Sequence, residues 1–167
     1  MTTDGATATT WLTTEAHARL QATLADMTGP VRADIVKKIE AARDEGDLKE
    51  NGGYHAAKEE QGKLEARIRQ LSALLRDVRV GVTPAGDVVE EGCLVVVDYG
   101  PPIGVETFLY ANRENATDEG GTIGELDVYS PESPIGLALA GHRKGDSVTF
   151  GPRSLQVTIV DITPYNP

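Results

Sequence analysis

Two carboxylate residues near the middle of the chain, Asp47 and Glu50, have the types and the spacing to do chemistry. Carboxylate oxygens are hard ligands of the kind that Mg²⁺ takes. Two carboxylates alone make a weak magnesium site, so further ligands would have to come from the carboxylates of another macromolecule or from substrate phosphates. The pair therefore indicates half of a two-metal site for phosphodiester chemistry, completed by a partner.

The same pair also has a purely structural interpretation. In a capping box, one side chain accepts from a free backbone N–H at a helix start, and a Glu three residues later reaches back. The spacing of Asp47 and Glu50 is close to that pattern. Capping requires no function, and the two interpretations are compatible because a capping carboxylate can leave one oxygen free.

Two long helical patterns flank residues 46–51 and would position the pair. The first begins after Thr13 or Thr14 and is interrupted at Gly29-Pro30, where we expect a bend or a restart. The second runs from Leu48 to Val78, about 45 Å if it is all helix, with apolar residues at alternating steps of three and four, as in a coiled-coil seam. A short connection between such helices predicts an antiparallel hairpin with the acidic turn at its tip.

The remainder of the chain predicts a second domain. Residues 1–10 are small and polar and are expected to be a disordered tail, residues 11–80 form the hairpin, and residues 81–87 are rich in turn formers and read as a linker. Beyond them the periodicity becomes extended, with one short helix from Ser133 or Pro134 to Ala140. Residues 88–167 therefore predict a mostly antiparallel sheet domain, and the whole chain an α+β protein of two domains.

Charge and composition narrow the class of function. The net charge of −10 argues against a protein that binds nucleic acid over its whole surface, and sequence-specific DNA readout is not expected. The first 80 residues carry 13 acidic and 12 basic side chains, whereas residues 81–167 carry 13 acidic and 4 basic ones, so a nucleic-acid contact is expected on the hairpin. A single cysteine, Cys93, and the lack of a long apolar run predict a cytoplasmic protein with no membrane association.

A resemblance to a known family adds to these expectations. Residues 42–61 read ARDEGDLKENGGYHAAKEEQ and closely resemble the tip of the GreA family of bacterial transcription elongation factors. The resemblance covers nearly the whole chain, including the opening at Trp11, residues 129–136 and the ending at Pro164-Tyr165, in the style of actinobacterial members.

The resemblance implies both a fold and a mode of action. It implies a coiled-coil hairpin that enters the secondary channel of RNA polymerase and an FKBP-like carboxy-terminal domain that docks on the channel rim. Asp47 and Glu50 would then be the catalytic tip residues that help to hold the second Mg²⁺ of the polymerase active site, while the isolated protein binds no cofactor. The polymerase would cleave the 3′ end of its own backtracked RNA, and the factor would not itself be an enzyme.

The resemblance also implies neighbouring roles, each with a structural alternative. Arg43 and Lys58 match positions that contact the extruded RNA, although both could be solvated helix residues; Asn51 and Tyr54 could position RNA or water, although Tyr54 also begins the apolar seam. Five residues resemble the family's polymerase-docking segment, although each of them could equally be an ordinary turn or cap residue. They are Ser130, Pro131, Ser133, Pro134 and Gly136.

Two other functions stay open at this stage. One is a regulator that occupies the secondary channel and inhibits polymerase without promoting cleavage, against which an intact Asp47 and Glu50 weigh. The other is a prolyl isomerase or chaperone, which would need an aromatic-lined pocket. Beyond residue 80 the chain has only Phe108, Phe150 and scattered tyrosines for such a pocket, so isomerase activity is not expected.

Overall fold

The computed structural model describes residues 9–46 and 50–167. The chain divides into two compact units: one is His17–Asp77, and the other combines the described residues up to Ala16 with Val78–Pro167. Residues 11–16 and 78–80, which the sequence pattern places with the hairpin, thus belong by their contacts to the unit that holds the sheet. The two units are described separately below as the helical unit and the sheet unit.

The helical unit is built from helices α1 (Thr14–Asp26), α2 (Arg32–Asp44) and α3 (Gly52–Arg76). The first of these begins in the sheet unit and continues into the helical one. With 25 residues α3 is about 37 Å long, shorter at both ends than the predicted span of residues 48–78. At its amino end the helix starts after the Asn51 cap, and at its carboxyl end Val78 enters a strand.

A π-helical turn, Met27–Val31, joins α1 to α2 without a break. The sequence predicts a bend or restart at this point, because Pro30 lacks an N–H and its ring collides with the carbonyl four residues earlier in a regular helix. A wider turn removes that collision, and π-helical turns of this kind occur as bulges inside α-helices. The Thr28 hydroxyl donates to the carbonyl of Leu24 (2.8 Å), one turn earlier in α1. The helix is therefore continuous and does not restart, whereas the expected bend stays a prediction.

Side chains of α2 and α3 form the core of the helical unit. The aliphatic residues recur at helical spacing on both helices, as the sequence pattern predicts, and alanine and tyrosine replace them towards the tip. The cluster consists of Ile35, Ile39, Ala57, Leu64 and Ile68, with Leu24, Met27, Val31 and Tyr54 packed against it. Apolar contact is therefore extensive away from the tip and sparse beside it.

The sheet unit contains a small parallel ribbon of β1 (Thr10–Leu12) and β2 (Val78–Val80). Of the predicted disordered tail, Thr10 is therefore in a strand, and residues 1–8 lie outside the described residues. The strand is held by Asn115, a fully buried side chain whose Oδ1 accepts from the Thr13 amide (2.9 Å) and whose Nδ2 donates to the Trp11 carbonyl (3.1 Å). Those bonds span more than 100 residues of sequence.

Within the described part of the chain, the main sheet has six strands. A 3₁₀ turn (Arg113–Asn115) and helix α4 (Pro134–Leu139) lie between them in sequence. Their order across the sheet is β5-β6-β4-β3-β8-β7. In chain order the strands are β3 (Cys93–Asp98), β4 (Val105–Tyr110), β5 (Thr122–Ile123), β6 (Leu126–Tyr129), β7 (Ser147–Phe150) and β8 (Leu155–Pro164).

The fold class is confirmed as α+β, with a helical region followed by a sheet domain with a short helix. The sheet is mostly antiparallel, as predicted, and among the described strands its one parallel pair is β4 with β6. The chain between β4 and β6 passes through the 3₁₀ turn and β5 before it returns, so β6 runs in the same direction as β4. Alternate residues of β3 are buried against α4, including Val95 and Val97, as expected for a half-covered sheet.

Candidate functional site

The tip of the hairpin is ordered by Asn51, the N-cap of α3. Its side-chain oxygen accepts from the Tyr54 amide (3.1 Å), and its backbone carbonyl accepts from the His55 amide (3.2 Å). Asn is among the strongest N-cap residues because its short side chain reaches the free N–H groups of the first turn. Its Nδ2 also donates to the carbonyl of Ala42 (2.6 Å) in the last turn of α2. One side chain thus joins the end of one helix to the start of the next.

The position of the cap corrects the capping-box interpretation of Glu50. A capping-box Glu lies three residues after the N-cap, inside the helix, whereas Glu50 lies immediately before the N-cap Asn51. Glu50 is exposed and stands outside the helix. Asp47 lies outside the described residues, so the interpretation of that residue stays a prediction. Capping is therefore the task of Asn51, and it does not account for Glu50.

Two further predicted residues meet across the hairpin. The Arg43 guanidinium lies over the Tyr54 ring, 5.9 Å from its centroid, at the outer range of a cation–π contact. The Tyr54 ring also makes an edge contact with the ring of His55 (5.7 Å between centroids) and packs against the helical core. Arg43 and Tyr54 are therefore brought together by the fold, one exposed and one half-buried.

Lys58 lies one helical turn further along α3. Its exposed Nζ donates to Gln61 Oε1 (2.9 Å), within the same helix. A lysine at the surface with such a contact is typical of a solvated helix face and equally able to bind a phosphate. The RNA contacts assigned to Arg43, Asn51, Tyr54 and Lys58 stay predictions.

The described residues at the tip do not form a metal site by themselves. Within residues 9–46 and 50–167, no group of three or more His, Cys, Asp or Glu side chains could hold a metal ion. Glu50 can supply one exposed carboxylate, and Asp47 lies outside that part of the chain. The described donors fit a magnesium ion only if a partner supplies most of its ligands, so the shared Mg²⁺ stays a prediction.

The predicted docking segment is held rigidly at the start of α4. Ser133 is the N-cap: its hydroxyl oxygen accepts from the Gly136 amide (3.1 Å) and donates to the Ser130 carbonyl (2.7 Å). Gly136 is buried, and a Cβ at this position would lie 1.9 Å from the Ser130 carbonyl oxygen. These residues therefore have structural duties, while Pro134 is exposed and Pro131 is partly so.

Tyr110 of β4 connects this segment to the sheet by a hydrogen bond. Its hydroxyl donates to the Gly136 carbonyl (3.0 Å), and burial, with the charges of Glu91 and Glu132, raises the pKa of Tyr110 to about 12. The hydroxyl therefore stays protonated and can donate at any physiological pH. The segment is thus tied to the sheet through a bond that ordinary changes of pH leave intact.

Two surface features near the docking segment were not predicted from the sequence. Leu137 on α4 is 69% exposed although it is a large apolar residue, whereas Ile135 and Leu139 of the same helix are buried in the core of the sheet unit. A shallow cavity of about 240 Å³ lies beside Ser130 and Ser133 and is also lined by Arg113, Asp127 and Tyr129. The position of Leu137 in the middle of a short predicted helix is a weak signal that it could be exposed. Nothing local in the sequence indicates the cavity.

A network of two tyrosines and one glutamate lies on the α4 side of the sheet. The hydroxyls of Tyr99 and Tyr129 donate to the two oxygens of the Glu106 carboxylate (2.7 and 2.6 Å). Burial, and then the bond to Glu106, raise the pKa of both tyrosines. Rings of Phe108 and Phe150 contact the same tyrosines, with centroids 4.6 Å and 6.5 Å apart. The main aromatic side chains of this unit are thus engaged with one another and with the core.

Comparison with known proteins gives the family. Residues 10–80 match the family described as "Transcription elongation factor, N-terminal", and residues 84–164 match "Transcription elongation factor, GreA/GreB, C-term". The chain is 46% identical over 162 residues to "Transcription elongation factor GreA" of Streptomyces coelicolor, with 94% of each chain covered. It is also 46% identical over 165 residues to the protein of that name from Mycobacteroides abscessus, with 96% of this chain and 98% of the relative covered.

Among solved structures, GreA factor homolog 1 (Gfh1) of Thermus thermophilus shares 24% identity. The match covers 92% of this chain and 98% of that one at a TM-score of 0.42, which is too low to compare the two arrangements. Within the described residues no helix is long and apolar enough to cross a membrane. The two family matches, which together span most of the chain, and the identity to actinobacterial relatives establish that this chain belongs to the GreA/GreB family of transcription elongation factors.

Proposed function

We propose that the chain is a transcription elongation factor that binds RNA polymerase and stimulates the polymerase's own cleavage of backtracked RNA. The hairpin tip enters the secondary channel, and the sheet unit docks on the channel rim. The factor has no nuclease activity of its own, and its partners are the polymerase and the extruded RNA 3′ end. The observation that carries the proposal is the position of Glu50, exposed, outside α3 and not needed as a cap.

The proposed role of the tip is to complete a site that the polymerase supplies in part. Glu50 and Asp47 offer carboxylate oxygens, and Asn51 holds the start of α3 directly after Glu50. When bound, a second Mg²⁺ lowers the pKa of a ligated water and neutralises charge on the scissile phosphate. Arg43 and Lys58 are exposed, and in this proposal their positive charge binds the phosphates of a short RNA. The net charge of −10 supports contact through the tip instead of the whole surface.

Purified backtracked elongation complexes test the tip directly. The factor is added as wild type, Asp47→Asn or Glu50→Gln, and the rate of RNA cleavage is measured at saturating factor. Both variants remove charge with little change of shape, and we expect each to lower the stimulated rate by at least about 10-fold, as losses of metal-site partners do. Glu40→Gln, an exposed acid on α2, is the matched control and keeps the wild-type rate. Wild-type rates in both tip variants would overturn the mechanism.

Docking is tested separately from cleavage. Leu137→Ser removes the exposed side chain beside the predicted docking segment, and we expect a higher half-saturating concentration of factor with an unchanged maximal cleavage rate. Val160→Thr is the matched control, because Val160 is 42% exposed on β8. If the two variants bind polymerase equally well, the docking surface lies elsewhere.

The rival functions give different results in the same assays. A channel regulator without cleavage activity would slow nucleotide addition and leave RNA cleavage unchanged. An isomerase would accelerate cis–trans exchange of a proline peptide, for which the engaged hydroxyls of Tyr99 and Tyr129 provide no open aromatic pocket. We expect no isomerase activity.

A further inference from the structure

The two ends of the hairpin turn are joined by the carboxamide of Asn51. Nδ2 donates to the Ala42 carbonyl at 2.6 Å, and Oδ1 accepts from the Tyr54 amide at 3.1 Å. Only this orientation of the amide matches its partners, because a carbonyl accepts and an N–H donates. The first bond connects residues nine apart in sequence, across the turn that carries the tip carboxylates.

The bond to Ala42 adds a donor to a carbonyl at the end of α2. The last carbonyls of an α-helix have no intrahelical partner, and Ala42 lies in the last turn of α2. The Glu45 amide also approaches this carbonyl (3.3 Å), so Asn51 adds a second and shorter donor from the opposite helix. The side chain therefore caps two helices at once, α3 by its oxygen and α2 by its nitrogen.

Polar bonding replaces apolar packing at this end of the hairpin. The core members near the tip are Ala57 and the partly buried Tyr54, whereas isoleucine and leucine fill the remainder of the cluster. Gly53 leaves room for the amide, since a Cβ there would lie 3.3 Å from Asn51 Oδ1. A bond of this kind is directional, so it fixes the approach of the two chain ends as well as their distance.

We propose that Asn51 is a positioning residue: by joining the end of α2 to the start of α3, it holds its immediate neighbour Glu50 in the productive direction. The proposal rests on the function proposed above. It assigns Asn51 an effect on the rate of cleavage in the bound complex. It assigns no effect on affinity for polymerase, because the docking segment lies in the other unit.

The test separates the two bonds of the amide. Asn51→Ser keeps an oxygen for the Tyr54 amide but cannot reach the Ala42 carbonyl, so the cap of α3 survives and the bond across the turn is lost. Asn51→Asp also keeps the cap, and its negative charge suits a helix N-terminus, while it has no N–H to donate. Gln70→Ser is the matched control, an exposed amide of α3 whose oxygen accepts from Arg67 in the same helix.

The readout is the stimulated cleavage rate as a function of factor concentration, together with the thermal unfolding of each variant. We expect Asn51→Ser and Asn51→Asp to lower the maximal rate by about 10-fold or more, since misplacing a catalytic group by about 1 Å can cost about 100-fold. The half-saturating concentration stays within about twofold of wild type, and the control changes neither quantity.

Each other result counts against the proposal. A wild-type maximal rate in Asn51→Ser and Asn51→Asp, with an active wild type, overturns the positioning role alone. A change confined to the half-saturating concentration also overturns it, because Asn51 would then act on binding. If the wild type itself fails to stimulate cleavage, the proposed function fails, and the positioning role fails with it.

Discussion

The tip of the hairpin and the predicted docking segment are each held in place by local contacts, but the contacts differ in kind. In the sheet unit, residues 130–136 are held by a serine cap, a tyrosine hydroxyl and a glycine with no room for a side chain. At the tip, an asparagine and a few partly buried contacts hold the helix ends. If the tip enters another molecule, as proposed, it has little space for a core of its own, whereas the proposed docking surface can be supported by a whole sheet. The comparison predicts that equal substitutions have unequal effects in the two units.

The largest difference is expected between two Gly→Ala substitutions. Gly136→Ala places a methyl 1.9 Å from the Ser130 carbonyl oxygen, so the backbone of the docking segment must move, at a cost of about 3 kcal/mol or more. Gly62→Ala in α3 meets nothing within 4 Å and is expected to stabilise the helical unit by about 0.5–1 kcal/mol. Chemical unfolding followed by fluorescence of Trp11 and by far-UV circular dichroism measures both. Equal effects of the two substitutions would contradict the comparison.

An intermediate difference is expected between the losses of stability caused by Asn→Ala substitutions at two positions, one in each unit. Asn115→Ala leaves the buried Thr13 amide and Trp11 carbonyl without their partner, and we expect a loss of about 2–4 kcal/mol. Asn51→Ala removes a cap in a partly exposed place and is expected to cost about 1 kcal/mol. Trp11 fluorescence measures the loss of stability in Asn115→Ala directly, because Trp11 lies in β1, the strand that Asn115 holds. A smaller loss for Asn115→Ala than for Asn51→Ala would mean that the β1 attachment is dispensable.

The smallest effect is expected on the pH dependence of the free energy of unfolding of the sheet unit. Burial raises the pKa of Glu91 above 4.5, while its bonds from the Trp11 and Asn112 amides oppose that shift. A carboxyl with a raised pKa in the folded state stabilises that state fully below its unfolded pKa. That contribution is lost as the pH rises through the folded value. Relative to Glu91→Gln, the wild type is therefore expected to lose stability as the pH rises above about 4, the ordinary value for a glutamate.

The control for this pH dependence is Glu125→Gln, which removes an exposed carboxylate of the same unit. Thermal unfolding of the three proteins at a series of pH values measures the slopes. As the pH rises, Glu91→Gln should lose less stability, or gain more, than the wild type, and its pH-dependent difference from the wild type should exceed that of Glu125→Gln. Parallel curves for all three proteins would show that Glu91 does not titrate in this range.

Sequence periodicity by itself determined the two kinds of element and their order. Apolar residues such as Ile35, Leu64 and Ile68 recur at helical spacing, and Val95 and Val97 alternate in a strand, because each pattern is a local consequence of backbone geometry. The run from Ala42 to Gln61 also carries the family resemblance that the comparisons bear out. These properties need no knowledge of which residues meet in space.

Only the tertiary structure decided which side chains hold the elements together. The bond from Asn115 to Thr13 joins residues 102 apart, the parallel pairing of β4 with β6 depends on the path of the intervening chain, and neither leaves a local pattern. At the tip the sequence offered an Asp–Glu capping box, whereas in the structure Asn51 is the cap: its Oδ1 accepts from the Tyr54 amide, and its Nδ2 also reaches the Ala42 carbonyl of the other helix. Spacing rules describe residues within one helix, so they cannot indicate Ala42, which is close to Asn51 in space but lies in another helix. Because Asn51 is the cap, the structure gives Glu50 no capping role.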